Sequence, residues 1–285
     1  MPAQAAYTST GVDGTKGHSI VGILTIIPEE FAAVSRLLGT HENIAGDQYF
    51  VAQVAAPGPN GLPAYEVVVC QAPGQTNLTA SDIVRDFVED FRPEFFLLVG
   101  IAGGHGGREV RLGDVVIADF VEDSEYFKLV EGKSLHRKRA YDHPSYKLRQ
   151  LYAEPLSKIS EWHKHIDVKR PNKKLPRAVI ANLASGEKLL GDRKNAYQKM
   201  IVAHFDKAAV FEMEGFGVAS QIFKQRGSVH YNPQYLIIRG ISDLVNEKSN
   251  QATRNKWKTY AACVAAAFTK SLVDRILKTR SALEP

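Results

Sequence analysis

The sequence predicts an α/β protein with three layers, α/β/α, around a mixed central sheet. Short apolar runs typical of buried strands alternate along the chain with stretches whose apolar residues recur at helical spacing. One of these runs, Phe95–Val99, is apolar at every position, as expected for a strand covered on both faces. Helices should therefore cover both faces of the sheet, and a ligand should bind at the carboxyl ends of the strands.

The first half of the chain supplies most of the predicted strands. These are Val21–Ile27, Gln48–Ala55, Tyr65–Gln71, Phe95–Val99 and Asp114–Val121. The Pro/Gly-rich stretch 57–63 is expected to form a loop between the second and third of them. A helix should begin at Pro28 or Glu29 and end at Leu38, because proline suits a first helical turn. A second helix should run from Asn77, a good capping residue, to Phe91.

The second half of the chain resumes the alternation after an interruption. Residues 122–175 are polar and basic, and they are expected to contain one helix around Pro144–His163. The later predicted strands are Arg177–Leu183, Ala209–Phe211 and Tyr235–Ile241. The later predicted helices are Asp192–Phe205, Met213–Gln225 (ended by Gly227) and about 250–278. The apolar stripe of the last helix predicts core packing and includes Trp257, Ala261, Val264, Phe268, Leu272 and Ile276.

Composition and charge favour one globular domain. Residues 1–18 are expected to form a flexible tail, and residues 19–285 a single domain with a basic insertion at about 122–175. The net charge is only +5, from 36 basic and 31 acidic residues, so an anionic small molecule fits as well as nucleic acid. Two cysteines in apolar contexts, no secretory signal and no long apolar run predict a cytoplasmic protein that does not bind membranes.

Carboxylates follow three separate predicted strands, so they should converge on one crevice. They lie in the segments 29–30, 211–215 and 239–243. Asp243 in a half-dry crevice can deliver a proton, or it can simply cap a following helical turn. Glu214 can accept hydrogen bonds from the vicinal hydroxyls of a ribose, or place a favourable charge at a helix N-terminus. Glu30 can polarise a water molecule or face solvent.

A glycine-rich segment, residues 100–107, follows the buried strand Phe95–Val99. Its glycine spacing is not that of the dinucleotide-binding fingerprint, and it lacks the lysine of a phosphate-binding P-loop. The glycines either let backbone amides approach a ligand or form a tight connection between strands. No Cys/His cluster with zinc spacing is present in the sequence.

The order of these segments resembles the nucleoside phosphorylase superfamily, and within it the branch of methylthioadenosine/S-adenosylhomocysteine nucleosidases. The resemblance extends from about residue 20 to 275. The segments that carry it are VGIL and PEE in 21–30, VGIAGG at 99–104, LGDVV at 112–116, SGE at 185–187, FEME at 211–214 and RGISD at 239–243.

The resemblance implies an N-glycosyl hydrolase acting on a purine nucleoside or nucleotide. Asp243 would protonate N7 of the leaving base, and Glu30 would activate the water that attacks C1′ of the ribose. Five further residues would bind the substrate, namely Ala102, Gly103, Leu190, Met213 and Glu214. Leu190 would contact adenine through its main chain. Met213 would pack on the sugar, and Glu214 would bind its hydroxyls. No metal or cofactor is implied, and family members assemble as dimers or higher homo-oligomers.

Two other functions remain open at this stage. A phosphate-dependent purine nucleoside phosphorylase would need a basic residue after the first strand, and 25–30 contains none, which favours hydrolysis. A non-catalytic nucleotide sensor on the same fold is the other alternative. The presence of Glu30, Glu214 and Asp243 together argues against it, because a binding relic could have lost any one of them.

Departures from the branch leave the substrate open. Ile101 stands where these nucleosidases usually have serine, and Leu189 where they have an aromatic residue that stacks on adenine. Related domains occur as antiviral effectors that cleave adenine from ATP, so ATP or AMP is a candidate substrate. The basic residues that motivate this hypothesis are Lys133, Arg137, Lys138, Arg139, His105, Arg108 and Lys188. The alternative is that 133–139 is a solvated charged loop.

Overall fold

The computed structural model describes residues 17–40, 42–44, 48–54, 64–137, 144–226, 230–248 and 250–281. The tail 1–16, the 57–63 loop, Lys138, Arg139 and Gly227 therefore lie outside the described residues. The strands are β1 His18–Thr25, β2 Glu42–Ile44, β3 Tyr49–Val54, β4 Ala64–Gln71, β5 Phe95–Gly104, β6 Val115–Asp123, β7 Phe127–Val130, β8 Lys133–His136, β9 Ala178–Ser185, β10 Ala208–Glu212 and β11 Gln234–Leu244.

The helices alternate with these strands as the sequence predicts. They are α1 Pro28–Leu38, α2 Asn77–Phe91, α3 Tyr146–Leu148, α4 Glu154–Ser157, α5 Ala196–His204, α6 Gly215–Gln225 and α7 Asn250–Ser281. A π-helical turn, Arg149–Ala153, joins α3 to α4, and a 3₁₀ turn covers Glu161–His165. No helix within the described ranges is long and apolar enough to cross a membrane.

Among the described residues, nine strands form one mixed sheet in the order β10-β9-β6-β11-β5-β1-β4-β3-β2, and β7 and β8 form a separate hairpin. β5 pairs parallel with both β1 and β11, whereas β6 runs antiparallel to β11. The end of β5 also pairs antiparallel with β10, through Gly103 opposite Phe211 and Gly104 opposite Val210. This pairing closes five strands into a ring (β5, β11, β6, β9 and β10), with the carboxyl ends of β5 and β11 beside β10.

Hydrophobic layers lie on both faces of the sheet, which confirms the three-layer prediction. α2 and α6 cover one face with side chains such as Phe87 and Ile222, both fully buried. α7 covers the other face, and its predicted apolar stripe is buried from Trp257 to Ile276. Burial of one such side chain stabilises the fold by roughly 1.5–3 kcal/mol.

The predicted helix around Pro144–His163 is wrong as a single element. The segment is broken into α3, a π-helical turn, α4 and a 3₁₀ turn. Pro155 lies at the start of α4, where it has no backbone N–H to continue the hydrogen-bond pattern of a regular helix. Residues 122–136 are also more ordered than predicted, because β6 extends to Asp123 and the β7–β8 hairpin follows.

The glycine-rich segment belongs mainly to a strand. β5 continues five residues beyond the predicted end at Val99, because Gly100–Gly104 pairs with β11 and, at its end, with β10. A Cβ on Gly100 would lie 2.6 Å from the Oε1 atom of Glu30 and closer still to the guanidinium of Arg239. Glycine is therefore required here by the close approach of two charged side chains.

Candidate functional site

A cleft lies at the carboxyl ends of β1, β5, β10 and β11, and it consists of two adjoining cavities. Cavity A is also lined by Ser124, Glu125, Lys188, Leu190 and Tyr197. Cavity B is also lined by Ile26, Glu30, Gln75, Glu214 and Arg254. The residues that line both cavities are Gly103, Leu189, Phe211, Glu212, Met213 and Asp243.

Asp243 lies near the end of β11, at the junction of the two cavities, and its exposed fraction is 4%. Its Oδ1 atom accepts a 2.7 Å hydrogen bond from the hydroxyl of Ser242. Burial raises the pKa of Asp243, against the opposing effects of Ser242, Arg254 and Asn250. Asp243 belongs to β11, and α7 begins only at Asn250, so capping of a helix does not explain its position. A buried carboxyl with a raised pKa can donate a proton.

Glu30 occupies the first turn of α1, but it does not face solvent, because its exposed fraction is 3%. Its Oε2 atom accepts hydrogen bonds from the amides of Ile26 (2.8 Å) and Ile27 (3.1 Å), and its Oε1 atom accepts one from Ile101 (2.8 Å). Burial raises the pKa of Glu30, although Arg239 and these three amides act in the opposite direction. The amides hold both oxygens in a fixed orientation at the wall of cavity B.

Arg239 is fully buried in the middle of β11 and connects the acids of the cleft. Its Nη2 atom donates to Glu212 at 2.5 Å and to Glu214 at 3.0 Å. Its charge also acts on the nearby carboxylate of Glu30, which favours the ionised form. Its Nε and Nη1 atoms have no hydrogen-bond partner among the described residues. One buried guanidinium thus stabilises the charged forms of three buried carboxylates, Glu30, Glu212 and Glu214. Removing the charge of any one of these groups would change the stability of the charged forms of the others.

Glu214 and Glu212 have different roles at the start of α6. The carboxylate of Glu212 accepts hydrogen bonds from the backbone amides of Glu214 and Gly215, so Glu212 satisfies the helix N-terminus. Glu214 makes no capping bond with its side chain and lies in the wall of cavity B. Burial raises the pKa of Glu214 to about 7, with further contributions from Glu212 and Glu30, while Arg239 acts to lower it. At neutral pH this carboxylate therefore changes protonation state easily.

The remaining sequence-predicted site residues also reach the cleft. Gly103 and Met213 line both cavities, Ala102 lines cavity B and Leu190 lines cavity A. A Cβ on Gly103 would lie 3.1 Å from the Oδ2 atom of Asp243, so the glycine keeps the space beside this carboxyl open. The carbonyl of Leu190 accepts a 3.0 Å hydrogen bond from Asn250, which attaches the wall of cavity A to the start of α7.

The basic residues singled out in the sequence are mostly elsewhere. Arg108 donates to three backbone carbonyls at 2.7–2.8 Å and has a structural role at the end of α5. Lys133, Arg137 and His105 do not line either cavity, whereas Lys188 lines cavity A and pairs with Glu125 at 2.8 Å. Among the described residues, no group of three or more His, Cys, Asp or Glu side chains is placed to hold a metal ion.

Two arginines of the site, Arg239 and Arg254, are given no role by the sequence analysis. Arg239 was noted only as part of a motif, although a charged residue within an apolar strand indicates a buried partner of opposite charge. Arg254 was missed because the α7 sequence is dominated by its core stripe. It lines cavity B from the second turn of α7, and no local pattern distinguishes it from other charged residues at the start of that helix.

Comparisons with known proteins identify the family of the chain. Residues 21–278 match the family model of the phosphorylase superfamily. An ATP nucleosidase Cap17 of Escherichia coli is 27% identical over 276 residues, covering 86% of this chain and 50% of the relative. A death domain-containing ATP nucleosidase of Amphimedon queenslandica is 24% identical over 208 residues, covering 70% of this chain and 37% of the relative. The chain thus spans half or less of the length of these curated relatives.

Solved structures show the same fold at low sequence identity. Futalosine hydrolase of Helicobacter pylori aligns with a TM-score of 0.65 and 17% identity, covering 90% of this chain and 98% of that chain. Methylthioadenosine/S-adenosylhomocysteine nucleosidase of the same organism aligns with a TM-score of 0.64 and 18% identity, covering 91% and 99%. With the family model matching nearly the whole chain, these observations lead to one conclusion: the protein belongs to the phosphorylase superfamily.

Proposed function

We propose that this protein hydrolyses the N-glycosidic bond of an adenine nucleoside or nucleotide and releases adenine. The observation that carries the proposal is the placement of Glu30, Glu214 and Asp243 around one cleft, although they come from three distant parts of the chain. Each of the three carboxyls is buried and has a raised pKa. Perturbed acids that share a cleft are typical of catalytic sites.

The proposed reaction assigns one step to each acid. Asp243 transfers its proton to N7 of adenine, and the bond between C1′ and N9 breaks with its electron pair moving into the base. Glu30 accepts a proton from a water molecule, whose oxygen then bonds to C1′. Glu214 accepts hydrogen bonds from the ribose hydroxyls and steadies the positively charged sugar. This parallels glycoside hydrolysis, in which an acid and a base act on opposite faces of the sugar.

The electrostatics of the cleft are consistent with these roles. A raised pKa allows Asp243 to carry a proton, as an acid must. Glu30 must be ionised when it accepts a proton. Burial raises its pKa, and the charge of Arg239 and three backbone amides oppose that effect in favour of the ionised form. The wall of cavity A, with Leu190 and Phe211, is proposed to hold the base, while cavity B holds the ribose.

Hydrolysis is favoured over phosphorolysis by the wall of cavity B after β1. The amides of Ile26 and Ile27, which could otherwise face an anion, both donate to Glu30. A phosphate placed against this carboxylate would be repelled, whereas a water molecule would be bound and activated. The alternative without catalytic activity is a nucleotide sensor. A pocket that only binds a nucleotide does not require three convergent acids with perturbed pKa values, so we favour the enzyme.

The names of the curated relatives favour a nucleotide as substrate. Two of them are called ATP nucleosidases, so we include ATP and AMP among the substrates to be tested. We also retain homo-oligomeric assembly and a single domain over residues 19–285 as parts of the proposal.

Chromatographic detection of free adenine tests the proposal. Purified protein is incubated with ATP, AMP, adenosine or methylthioadenosine, each with and without inorganic phosphate. We expect adenine release that does not depend on phosphate and that is lost in Glu30→Gln. Release only in the presence of phosphate would replace hydrolysis by phosphorolysis. Absence of release from every substrate, with nucleotide binding retained, would favour the sensor.

A further inference from the structure

We propose that Arg254 binds the 5′-phosphate of the substrate and makes the site selective for nucleotides over nucleosides. The inference rests on the proposed function, because it uses the orientation of the substrate given there. It identifies the chemical class of the substrate, a 5′-phosphorylated adenine nucleoside. Lys133 and Arg137, which are described residues of the basic stretch considered for this role, line neither cavity.

The position of Arg254 is the first argument. Among the described residues that line cavity B, Arg254 is the only lysine or arginine. It shares this cavity with Glu30 and Glu214, the acids assigned to the ribose. It extends from α7, which packs against α1 and β11, so its position relative to Glu30 and Asp243 is set by the core of the protein.

The stereochemistry of a nucleoside is the second argument. The base and the 5′-substituent project from the same face of the ribose, opposite the 2′ and 3′ hydroxyls. If Asp243 meets the base and Glu214 meets the hydroxyls, the 5′-substituent must leave the ribose on the face that carries the base, opposite Glu214. Arg254 suits that position, since it lines cavity B together with Asp243 and its charge acts on Asp243.

The charge of the cleft is the third argument. Four acids line cavity B, namely Glu30, Glu212, Glu214 and Asp243. Arg239 is fully buried and does not line cavity B, and its Nη2 atom already donates to Glu212 and Glu214, so it does not offer a cation to a ligand in this cavity. A phosphate could not approach these acids without another cation, and Arg254 supplies one.

Arg254 is also available to a ligand. The structure places no hydrogen bond or ion pair between its guanidinium and any described residue, and its electrostatic effects reach Glu29 and Asp243 only at longer range. Its neighbour one turn later, Lys258, is instead held by Glu29. A planar guanidinium suits phosphate because it can donate two parallel hydrogen bonds.

The other basic residues of the cleft do not meet these conditions. Lys188 lines cavity A, pairs with Glu125 and lies 5.0 Å from the ring of Tyr197. Lys133 and Arg137 belong to the β7–β8 region and line neither cavity. Lys188 therefore provides a matched control, since it is a cation at the opposite end of the same cleft.

The test compares AMP with adenosine in Arg254→Gln, Arg254→Lys and Lys188→Gln. Loss of Arg254 also removes a charge that lowers the pKa of Asp243, but this affects both substrates. The ratio of kcat/KM for AMP to that for adenosine isolates the phosphate contact. We expect the ratio to fall about 10- to 100-fold in Arg254→Gln, the range for a charge-assisted hydrogen bond. Arg254→Lys should recover part of it, and Lys188→Gln should leave it within about twofold.

Calorimetric binding separates this inference from the proposed function. The affinity for AMP and for adenosine is measured in Glu30→Gln and in the double variant with Arg254→Gln, so no turnover is needed. Weaker binding of AMP, with a much smaller effect on adenosine, supports the inference even if the wild type releases no adenine. An equal loss of affinity for AMP and adenosine, or no loss for either, overturns the role proposed for Arg254. Adenine release by the wild type would still support the proposed hydrolysis in that case.

Discussion

The guanidinium of Arg239 lies 3.0 Å from the carboxylate of Glu214, and both groups are buried. The same nitrogen lies 2.5 Å from Glu212, so β11 and β10 are joined across the site by one cation. A buried charge destabilises the fold unless a group of opposite charge lies beside it. Here the guanidinium of Arg239 is the partner of three buried carboxylates. The stability of the fold and the charge state of the cleft are therefore controlled by the same residue.

Replacing Arg239 by methionine should destabilise the protein by about 3–5 kcal/mol, because it leaves buried carboxylates without their cation. Urea unfolding at pH 7 measures the loss. Arg239→Lys keeps the charge and should lose less. If Arg239→Met does not fold, adding Glu214→Gln removes one unpaired acid and should restore part of the stability. A methionine variant as stable as the wild type would contradict the role given to Arg239.

Asp243→Asn should lower kcat about 10²- to 10⁴-fold, because asparagine has nearly the same shape but cannot donate the proton. Adenine release under saturating substrate measures the change, and calorimetric affinity for the substrate should change much less. Ser242→Ala serves as the matched control. It removes the 2.7 Å hydrogen bond to Asp243, which should raise the pKa of the acid further while leaving most of the activity. Full activity in Asp243→Asn would exclude it as the acid.

Glu214 should make stability depend on pH in the range between about 4.5 and 7. Its pKa is raised to about 7 in the folded protein from 4.5, so the folded state binds the proton more tightly than the unfolded state. The contribution of this residue to stability is therefore greatest below pH 4.5, decreases as pH rises, and reaches its minimum above 7. The slope is at most about 1.4 kcal/mol per pH unit.

The measurement is the difference in free energy of unfolding between the wild type and Glu214→Gln across that pH range. Because glutamine does not titrate, the difference should move in favour of the variant as pH rises. The contribution of Asp243 largely cancels between the two proteins, whereas Glu30 and Glu212 interact with Glu214 and their response is part of the measured difference. A difference that is constant with pH would show that the pKa of Glu214 is close to its value in the unfolded chain.

Gly100→Ala should destabilise the fold by about 1–3 kcal/mol, the usual cost of forcing extra atoms into a packed interior. The added methyl group would meet both Glu30 and Arg239, so adenine release should fall as well. Thermal unfolding and adenine release measure the two effects. Gly191→Ala is the control, because nothing lies within 4 Å of the Cβ that it would add. Equal effects of the two substitutions would contradict the close packing at Gly100.

Local patterns predicted those parts of the molecule whose conformation is determined locally. The bounds of α2, Asn77–Phe91, agree with the prediction, since an apolar stripe specifies them. The predicted capping by Asn77 is wrong, because Thr76 occupies the cap position and the side chain of Asn77 bonds to Ser185, Gly186 and Gly217 instead. The extension of β5 through Gly100–Gly104 was not predicted, because those glycines are held as a strand by pairing with distant β10 and β11. The β7–β8 hairpin was not predicted, because each of its strands is only four residues long and lies within a polar, basic stretch of the sequence.

The candidate site shows the same difference between positions determined by the local sequence and positions determined by tertiary packing. The positions of Glu30, Glu214 and Asp243 in one cleft follow from their location after strands, which the sequence displays. The positions of Arg239 between the acids and of Arg254 in the cavity wall depend on tertiary packing. The alternative considered for Glu214 was a favourable charge at a helix N-terminus. The carboxylate that accepts hydrogen bonds from the first amides of α6 is that of Glu212, two residues earlier.

Because β10 pairs with the end of β5, the proposed catalytic acids and the residues proposed to select the substrate lie on different parts of the fold. Asp243 lies in a closed ring of strands, and Glu214 follows two residues after β10, a strand of the same ring, so we expect their spacing to be insensitive to changes at the surface. Leu189 and Arg254 contact the same cleft from outside that ring, on a connection and on a helix. Substitution of Leu189 or Arg254 can therefore change which substrate binds without moving Glu214 or Asp243. The same fold can thus acquire a new substrate through changes at a few positions in its connections and helices.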